Sequence, residues 1–253
     1  MYKIPANTLF LGKNLIFMPE CHSTNDLALK LCQQGDVGEG TLVITHHQSS
    51  GRGQRGTTWD AEPGMNLTFS LIVKPTFLDV RDQFYLSMTT ALAVQDFLAD
   101  HALKSASSIK WPNDVVVGGK KICGILIENQ LQGTRLQASV LGIGLNINQQ
   151  NFNHPTATSL SLISQQQFDL QTELEHLLSS LEVRYLQLRQ GKLDLLKTAY
   201  LSNLYWRQEK HWFSSRGNDF EGTIMGIDEV GRLQVEVRGG IQKFELKEIA
   251  YLR

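Results

Sequence analysis

Along residues 67–73, the hydrophobic residues Leu67, Phe69, Leu71 and Val73 alternate with Thr68, Ser70 and Ile72 and share one face. This period of two predicts a β-strand with one fully buried face. Other apolar runs predict further strands over residues 15–18, 41–45, 109–111, 114–117, 122–128 and 136–147. A period near 3.6 predicts helices over 82–100, 172–190 and 192–203. Strands and helices therefore mix along most of the chain, which predicts an α+β fold: a mixed β-sheet with helices packed on it.

One further helix is indicated by the residues at its ends. Ser23 can cap a helix N-terminus, and Asp26 then lies in the first turn, where a negative charge is favourable. Leu27 and Leu31 share a face, and Gly35 is a typical stop signal.

Two connections separate these elements. Gly118-Gly119 predicts a tight hairpin turn. Residues 148–168 are polar and contain His154-Pro155, and we expect them to form a loop.

The pattern changes near Arg207, where short strands and turns replace helices. Strands are predicted over residues 221–227, 233–237 and 243–246, separated by glycines. We therefore expect a first domain over residues 1–205 and a small C-terminal β-barrel over residues 206–253.

Composition excludes several classes of protein. The chain has 253 residues, of which 42% are hydrophobic, enough to form a buried core. Its net charge is −1, so broad electrostatic binding to nucleic acid is not expected. Cys21, Cys32 and Cys123 show no metal-site or redox spacing and are expected to be reduced. No apolar run resembles a signal peptide or a membrane span, so we expect a soluble cytoplasmic protein that contacts no membrane.

A loop rich in glycine and arginine, Gln48–Gly56, is the first candidate for chemistry. Glycines allow backbone N–H groups to converge on an anion, and arginine adds a permanent forked donor. The spacing also satisfies the G-x-G-x-x-G pattern of dinucleotide-binding loops. That pattern requires a helix directly after the glycines, whereas here the next predicted element is a strand, so anion binding is favoured.

Three further stretches carry polar groups beside strands. Asn113 and Asp114 follow Lys110-Trp111-Pro112 and could bind a metal, orient a ribose or steer an amine, although an ordinary turn is the simpler interpretation. Lys121 begins an apolar strand, where its ammonium could contact a carboxylate or phosphate, and a solvated hairpin lysine is again simpler. Gly124, within that strand, suggests close approach by a ligand or another backbone.

The fourth stretch is Gly142-Ile143-Gly144-Leu145-Asn146. Its glycines indicate either an accessible strand or a β-bulge, and Asn146 could bond a nucleotide. The histidines show no metal-ligand spacing, and no metal ligand is assigned.

Taken in order, these motifs resemble those of the biotin protein ligase family. The matching stretches are Ser23-Thr24-Asn25, Gln48 with Gly51–Gly56 and Trp59, Lys110–Asp114, Lys121–Leu126 and Gly142–Asn146. The resemblance implies a class II synthetase-like catalytic domain with an SH3-like C-terminal barrel. It also implies two reactions: biotin and ATP form biotinyl-5′-AMP, and biotin then passes to a lysine of a biotin carboxyl carrier domain. The partner would be the carrier domain of acetyl-CoA carboxylase or a related carboxylase, and Mg²⁺ would accompany ATP.

The resemblance also implies a role for each matching residue. The biotin-binding set would be Ser23, Thr24, Asn25, Gln48, Arg52, Gly53, Gln54, Lys121 and Gly124. The nucleotide-binding set would be Arg55, Trp59, Asn113 and Asn146, with Trp59 stacked near adenine. Lys121, Arg52 and Arg55 would stabilise charge during catalysis, and Asp114 would orient the carrier lysine or accept its proton.

Gln54 departs from the pattern, because some family members carry arginine there, and this puts tight retention of the adenylate in question. About twenty residues precede Ser23, too few for the DNA-binding domain of some members, so we expect a monofunctional ligase that binds no DNA. A lipoate or octanoate ligase or transferase and a non-catalytic biotin sensor are the alternatives. The sequence leaves open whether the chain forms a homodimer. An exposed sheet edge, expected near residues 136–147, could pair either with a second subunit or with the carrier.

Overall fold

A seven-stranded mixed β-sheet forms the centre of the fold. The computed structural model describes residues 2–35 and 37–252, apart from the side chain of Arg55. The strands span Leu15–Cys21 (β1), Leu42–Gln48 (β2), Leu67–Val73 (β3), Ser107–Lys110 (β4), Asp114–Val117 (β5), Lys120–Gln132 (β6) and Arg135–Leu145 (β7). They lie in the order β1-β2-β3-β7-β6-β5-β4. β1 and β2 are parallel and the other neighbours are antiparallel.

Helices cover both faces of this sheet. They span Thr24–Gln34 (α1), Phe84–Asp100 (α2), Leu160–Ser164 (α3), Leu170–Arg189 (α4) and Leu193–Ser202 (α5). Ala28 of α1 clusters with Val43 and Ile72 on one face. Leu42 and Leu71, which point to the opposite face because strand side chains alternate, join the large core beneath α2, α4 and α5.

The end signals of α1 act as the sequence predicts. The hydroxyl of Ser23 accepts a hydrogen bond from the Asp26 N–H at 3.4 Å. Gly35 adopts the left-handed conformation at φ 80°, and its N–H donates to Cys32 O. Because α1 begins directly at the end of β1, its first residues lie beside the carboxyl end of the sheet's only described parallel pair.

A second sheet follows the helices. Its strands span Lys210–Ser215 (β8), Asn218–Ile227 (β9), Leu233–Val237 (β10), Gly240–Phe244 (β11) and Ala250–Tyr251 (β12), in the antiparallel order β11-β10-β9-β8-β12. The α+β class with a small all-β unit at the C-terminus is thus confirmed. Phe213 and Val235 belong to the same buried cluster as the large core, and Trp111 Nε1 donates to Gly231 O at 2.9 Å. The division into residues 1–205 and 206–253 stays a prediction.

The structure differs from the sequence-based expectations in the bounds of some strands and in several whole elements. The strand expected over residues 243–246 spans Gly240–Phe244, because its pairing with β10 begins directly at the glycine turn. The segment 148–168 contains α3, whose five residues are too few to show a helical period. β8 and β12 were not predicted, because β8 buries only Phe213 and β12 has two residues. The expected exposed edge at residues 136–147 is wrong, since β7 lies between β3 and β6.

Among the described residues, no helix is long and apolar enough to cross a bilayer.

Candidate functional site

A cavity of about 580 Å³ lies on the α1 face of the large sheet. Residues paired directly across antiparallel strands point to the same face, so the register defines the cavity floor. One cross-strand row contains Thr68, Gly144, Gly124 and Asp114, and the next contains Ser70, Gly142 and Leu126. Because the glycines have no side chain, the middle of the floor is backbone, and other groups can approach it closely.

Hydrogen-bonded polar groups form the end of the cavity nearest α1. Gln48 Oε1 accepts from the Thr24 N–H at 2.8 Å and from its hydroxyl at 3.2 Å. Ser70 Oγ donates to Asn25 Oδ1 at 2.5 Å and lies 2.7 Å from Thr24 Oγ1. Thr24, Asn25 and Ser70 are each at most 3% exposed. A ligand entering here meets hydroxyl and amide groups already held in place; we call this set of Thr24, Asn25, Gln48 and Ser70 the polar pocket.

The strand glycines make room for side chains that fold over them. A Cβ atom on Gly142 would lie 2.2 Å from Asn25 Oδ1, and one on Gly144 would lie 2.2 Å from Cε2 of Trp59. A Cβ on Gly124 would lie 3.0 Å from the Trp59 ring. Gly124 was expected to admit the ligand; in this structure the Trp59 indole lies over it, and a contact with the ligand stays a prediction.

The Gly/Arg loop is tied across the mouth of the cavity. Its two halves are joined by the Trp59 N–H, which donates to Gly51 O at 2.9 Å, and the Gly53 N–H, which donates to Thr57 O at 2.7 Å. Arg52 forms ion pairs with Asp26 of α1 and, at 2.8 Å, with Glu128 of β6.

These two carboxylates also stabilise the charged form of the Arg52 guanidinium. Partial burial would lower the pKa of Arg52, but its bonds to Glu128 and Asp26 raise it overall. Glu128 Oε2 also accepts from Asn25 Nδ2 at 2.9 Å, so one carboxylate links the loop to the polar pocket. The predicted role of Arg55 cannot be placed, because its side chain lies outside the described part of the structure.

Lys121 and Asp114 form a second charged group. Lys121 Nζ lies 2.7 Å from Asp114 Oδ1 and 5.7 Å from the centre of the Trp59 ring. Both side chains are partly buried, at 37% and 24% exposure. An anionic ligand in this cavity therefore meets Lys121 and Arg52, each already beside a carboxylate.

Three buried polar atoms in the cavity wall have neither a hydrogen bond nor an ion pair among the described residues. They are Asn146 Oδ1, an acceptor, Trp59 Nε1, a donor, and the Tyr251 hydroxyl. A fourth buried atom, Asp114 Oδ1, has only its ion pair with Lys121. Asn146 is held by its other amide atom, since Nδ2 donates to Thr158 O at 2.9 Å. Leaving such groups unsatisfied costs about 1–3 kcal/mol each, so these atoms are suited to meet a polar ligand.

Asn113 lines the cavity and also joins two strands. Its Nδ2 donates to Ile125 O at 2.7 Å, and the Ile125 N–H donates to Asn113 O at 2.9 Å. These two bonds fix β6 beside β5. Contact between Asn113 and a nucleotide stays a prediction.

The structure adds wall residues that the sequence analysis missed. One set follows Asn148 and comprises Phe152, Asn153, His154, Thr156 and Ala157. The other comes from the C-terminal sheet and comprises Lys247, Ile249, Ala250 and Tyr251. Burial is the main cause that raises the pKa of Tyr251, with Asp114 adding to it, and the Lys110 ammonium lies 4.8 Å from its ring centre. No motif marks these residues in the sequence.

Apart from the Arg55 side chain, the predicted site residues all line this one cavity. They are Ser23, Thr24, Asn25, Gln48, Arg52, Gly53, Gln54, Trp59, Asn113, Asp114, Lys121, Gly124 and Asn146. Their individual roles stay predictions. Ser70 and Glu128, which hold several of them, were missed, because an isolated serine or glutamate in a strand carries no sequence signal.

The sequence matches a known family. Residues 17–146 fit the model of the biotin/lipoate A/B protein ligase family. The chain is 31% identical over 247 residues to the bifunctional ligase/repressor BirA of Bacillus subtilis, covering 96% of this chain and 75% of that protein. It is 30% identical over 245 residues to the biotin–[acetyl-CoA-carboxylase] ligase of Mycobacterium tuberculosis, covering 95% and 90%.

A solved structure agrees with this match. The biotin protein ligase of Aquifex aeolicus in complex with biotin and ATP superimposes with a TM-score of 0.77 at 26% identity, over 95% of this chain and 99% of that one.

Proposed function

Because this chain belongs to the biotin/lipoate A/B protein ligase family, we propose that it is a biotin protein ligase. It uses ATP to convert biotin to biotinyl-5′-AMP and then transfers biotin to a lysine of a carrier domain. The observation that carries this proposal is that one cavity of about 580 Å³ combines a polar pocket, the cations of Arg52 and Lys121, and unsatisfied buried polar atoms such as Asn146 Oδ1. Its volume is typical of small-molecule sites, which occupy about 300–1,000 Å³.

The polar pocket is suited to the ureido ring of biotin, which offers one carbonyl and two N–H groups. Gln48, Thr24 and Asn25 line the cavity and supply both acceptors and hydroxyl or amide donors, while the fully buried Ser70 holds Thr24 and Asn25 from behind. Ser23 caps α1 beneath them and so holds the pocket in place. An acyl chain or a dithiolane ring offers no polar atom that could hydrogen-bond to these groups, and this disfavours the lipoate or octanoate alternative.

In the first reaction, a biotin carboxylate oxygen attacks the α-phosphorus of ATP. A C–O–P linkage forms, the bond to the β-phosphate breaks, and pyrophosphate leaves. Lys121 and Arg52 stabilise the negative charge on the phosphoryl oxygens, and Arg55 is proposed to assist. Gly53 and Gln54 bring the loop backbone over the adenylate, and Gly124 lets the reacting groups lie against β6.

The nucleotide is proposed to lie against Asn146, Asn113 and Trp59. The unpartnered Asn146 Oδ1 and Trp59 Nε1 gain hydrogen bonds from it or from waters that it orders. Mg²⁺ is proposed to accompany ATP, since such hard cations take carboxylate and amide oxygens, which Asp114 and Asn146 offer in this cavity.

In the second reaction, the carrier lysine attacks the acyl carbon of the adenylate and AMP leaves. Asp114 is proposed to orient this amine or to accept its proton. Asp114 lies 2.7 Å from Lys121, so the residue that stabilises the adenylate and the residue that meets the amine are adjacent. The partner is proposed to be the carrier domain of acetyl-CoA carboxylase or a related carboxylase.

A transfer assay tests the proposal directly. The protein is incubated with ATP, Mg²⁺ and an apo carrier domain, with either biotin or lipoate, and the mass of the carrier is measured. Added biotin mass supports the proposal, and lipoyl addition supports the alternative enzyme. Biotin binding without transfer would identify a sensor and contradict the proposed catalysis.

A further inference from the structure

Three potential metal ligands come together far from the cavity, where the end of α2 meets the start of α4. The ligand atoms of His101, Glu173 and His176 all lie within 4.8 Å of one another. None of the three lines the cavity described above. Any role of this cluster is therefore separate from the chemistry of the ligase.

Two members of the cluster are held rigidly. His101 Nε2 lies 2.7 Å from Glu173 Oε2, and the two side chains are 14% and 6% exposed. The His101 ring packs against Phe97 at 4.8 Å and edge-on against Phe168 at 5.2 Å. A buried carboxylate needs a cation or hydrogen bonds to offset its desolvation, and at Glu173 the described partner is a single imidazole.

The third member leaves the cluster open to solvent. His176 follows Glu173 by three residues on α4, a spacing that places both side chains on one helix face. His176 is exposed, so an ion can enter from solvent and this side chain can adjust to it. Two imidazoles and one carboxylate form a donor set that suits Zn²⁺, with water as the fourth ligand.

We propose that His101, Glu173 and His176 bind a Zn²⁺ ion that cross-links α2 to α4. Imidazole ligands favour Zn²⁺ over Mg²⁺, which prefers oxygen ligands in octahedral geometry. Because both helices pack in the large core behind the sheet, the ion stabilises the scaffold on which the cavity is built. The sequence analysis assigned no metal ligand, since His101 lies 72 residues from Glu173.

The test uses the full chain without a polyhistidine tag, freed of metal by a chelator. Zn²⁺ is titrated by calorimetry, and Tm is measured with and without the ion. We expect one saturable site per chain and a Tm that rises with Zn²⁺ concentration but not with equal Mg²⁺. Absence of saturable binding, or an equal response to Mg²⁺, would overturn the proposal.

His176→Ala is the decisive variant, because this exposed side chain can be removed without disturbing the core. Loss of an outer partner of a metal ligand typically weakens affinity by about 10–100-fold, so loss of a ligand itself should cost at least about 10-fold. His211→Ala is the matched control: His211 lies 3.1 Å from Glu209 in a similar pair outside this cluster. Unchanged Zn²⁺ affinity in His176→Ala, or an equal loss in the control, would place the ion elsewhere.

Discussion

Ser70→Ala tests whether the polar pocket is held in place for a ligand. Ser70 is fully buried, and its hydroxyl lies 2.5 Å from Asn25 Oδ1 and 2.7 Å from Thr24 Oγ1. Alanine fits the same strand position but removes the donor. Asn25 stays fixed through its bonds from Nδ2 to Leu126 O and Glu128, so its oxygen cannot easily turn to another partner.

The size of the effect follows from that unpaired oxygen. A buried acceptor that loses its donor costs about 1–3 kcal/mol, and we expect this loss in the free energy of unfolding. For a chain of this size, about 1 kcal/mol lowers Tm by roughly 2–4 °C. If biotin binds Thr24 and Asn25 in their present orientation, a comparable loss in binding free energy raises the biotin Kd by about 5–150-fold.

Calorimetric titration with biotin and a thermal melt measure the two quantities separately. Ser107→Ala is the matched control, since Ser107 is also a buried strand serine, is bonded to Lys104 O at 3.1 Å and does not line the cavity. We expect the control to lower Tm without changing the Kd. A Ser70→Ala variant that melts earlier but binds biotin with unchanged Kd would show that Ser70 only supports the sheet and would refute our reasoning.

Four further variants test the cavity and the loop at its mouth. Lys121→Ala should slow adenylate formation, measured as pyrophosphate release, because the phosphoryl oxygens lose a cation. Asp114→Ala should instead slow the transfer of biotin from pre-formed adenylate to the carrier. Gly144→Ala should displace the loop tryptophan, whose ring lies 2.2 Å from the new Cβ position, and tryptophan fluorescence should report the change. Glu128→Gln should speed proteolysis of the loop at residues 51–56, because Arg52 loses a charged partner. In the unmodified chain, biotin with ATP should slow cleavage of the same loop.

A wild-type rate of adenylate formation in Lys121→Ala would remove that residue from the first reaction, and an unchanged transfer rate in Asp114→Ala would remove the carboxylate from the second. Gly38→Ala is the control for Gly144→Ala. It adds a methyl group where no atom lies within 4 Å, so it should leave the tryptophan fluorescence unchanged. If ligands do not alter cleavage of the loop, it does not close over them.

The order of the elements was largely predictable from local sequence patterns. The run 67–73 forms β3 with those bounds, because apolar residues at every second position produce a continuous face that a strand can bury. Ser23 caps the start of α1 and Gly35 caps its end, as expected, since capping depends on groups only a few residues away. β8 and β12 escaped prediction because they are short or largely exposed, and α3 because five residues cannot show a period.

The candidate site was predictable where it consists of contiguous motifs. The Gly/Arg loop, Lys121 and the Gly-x-Gly-x-Asn stretch each carry residue types whose chemistry and resemblance identify them. All described members line one cavity, although their roles stay predictions.

Tertiary structure decided what depends on register and on contacts between distant segments. Strand pairing determines which face of the sheet Gly142 and Gly144 share with α1. Only the structure therefore shows that Asn25 and Trp59 occupy the space that side chains at these glycines would fill. Ser70 gains its position from the same register. His101 meets Glu173 only because α2 packs on α4. A sequence fixes which groups are available through local propensity, whereas the distances between remote groups arise from packing, which no local pattern records.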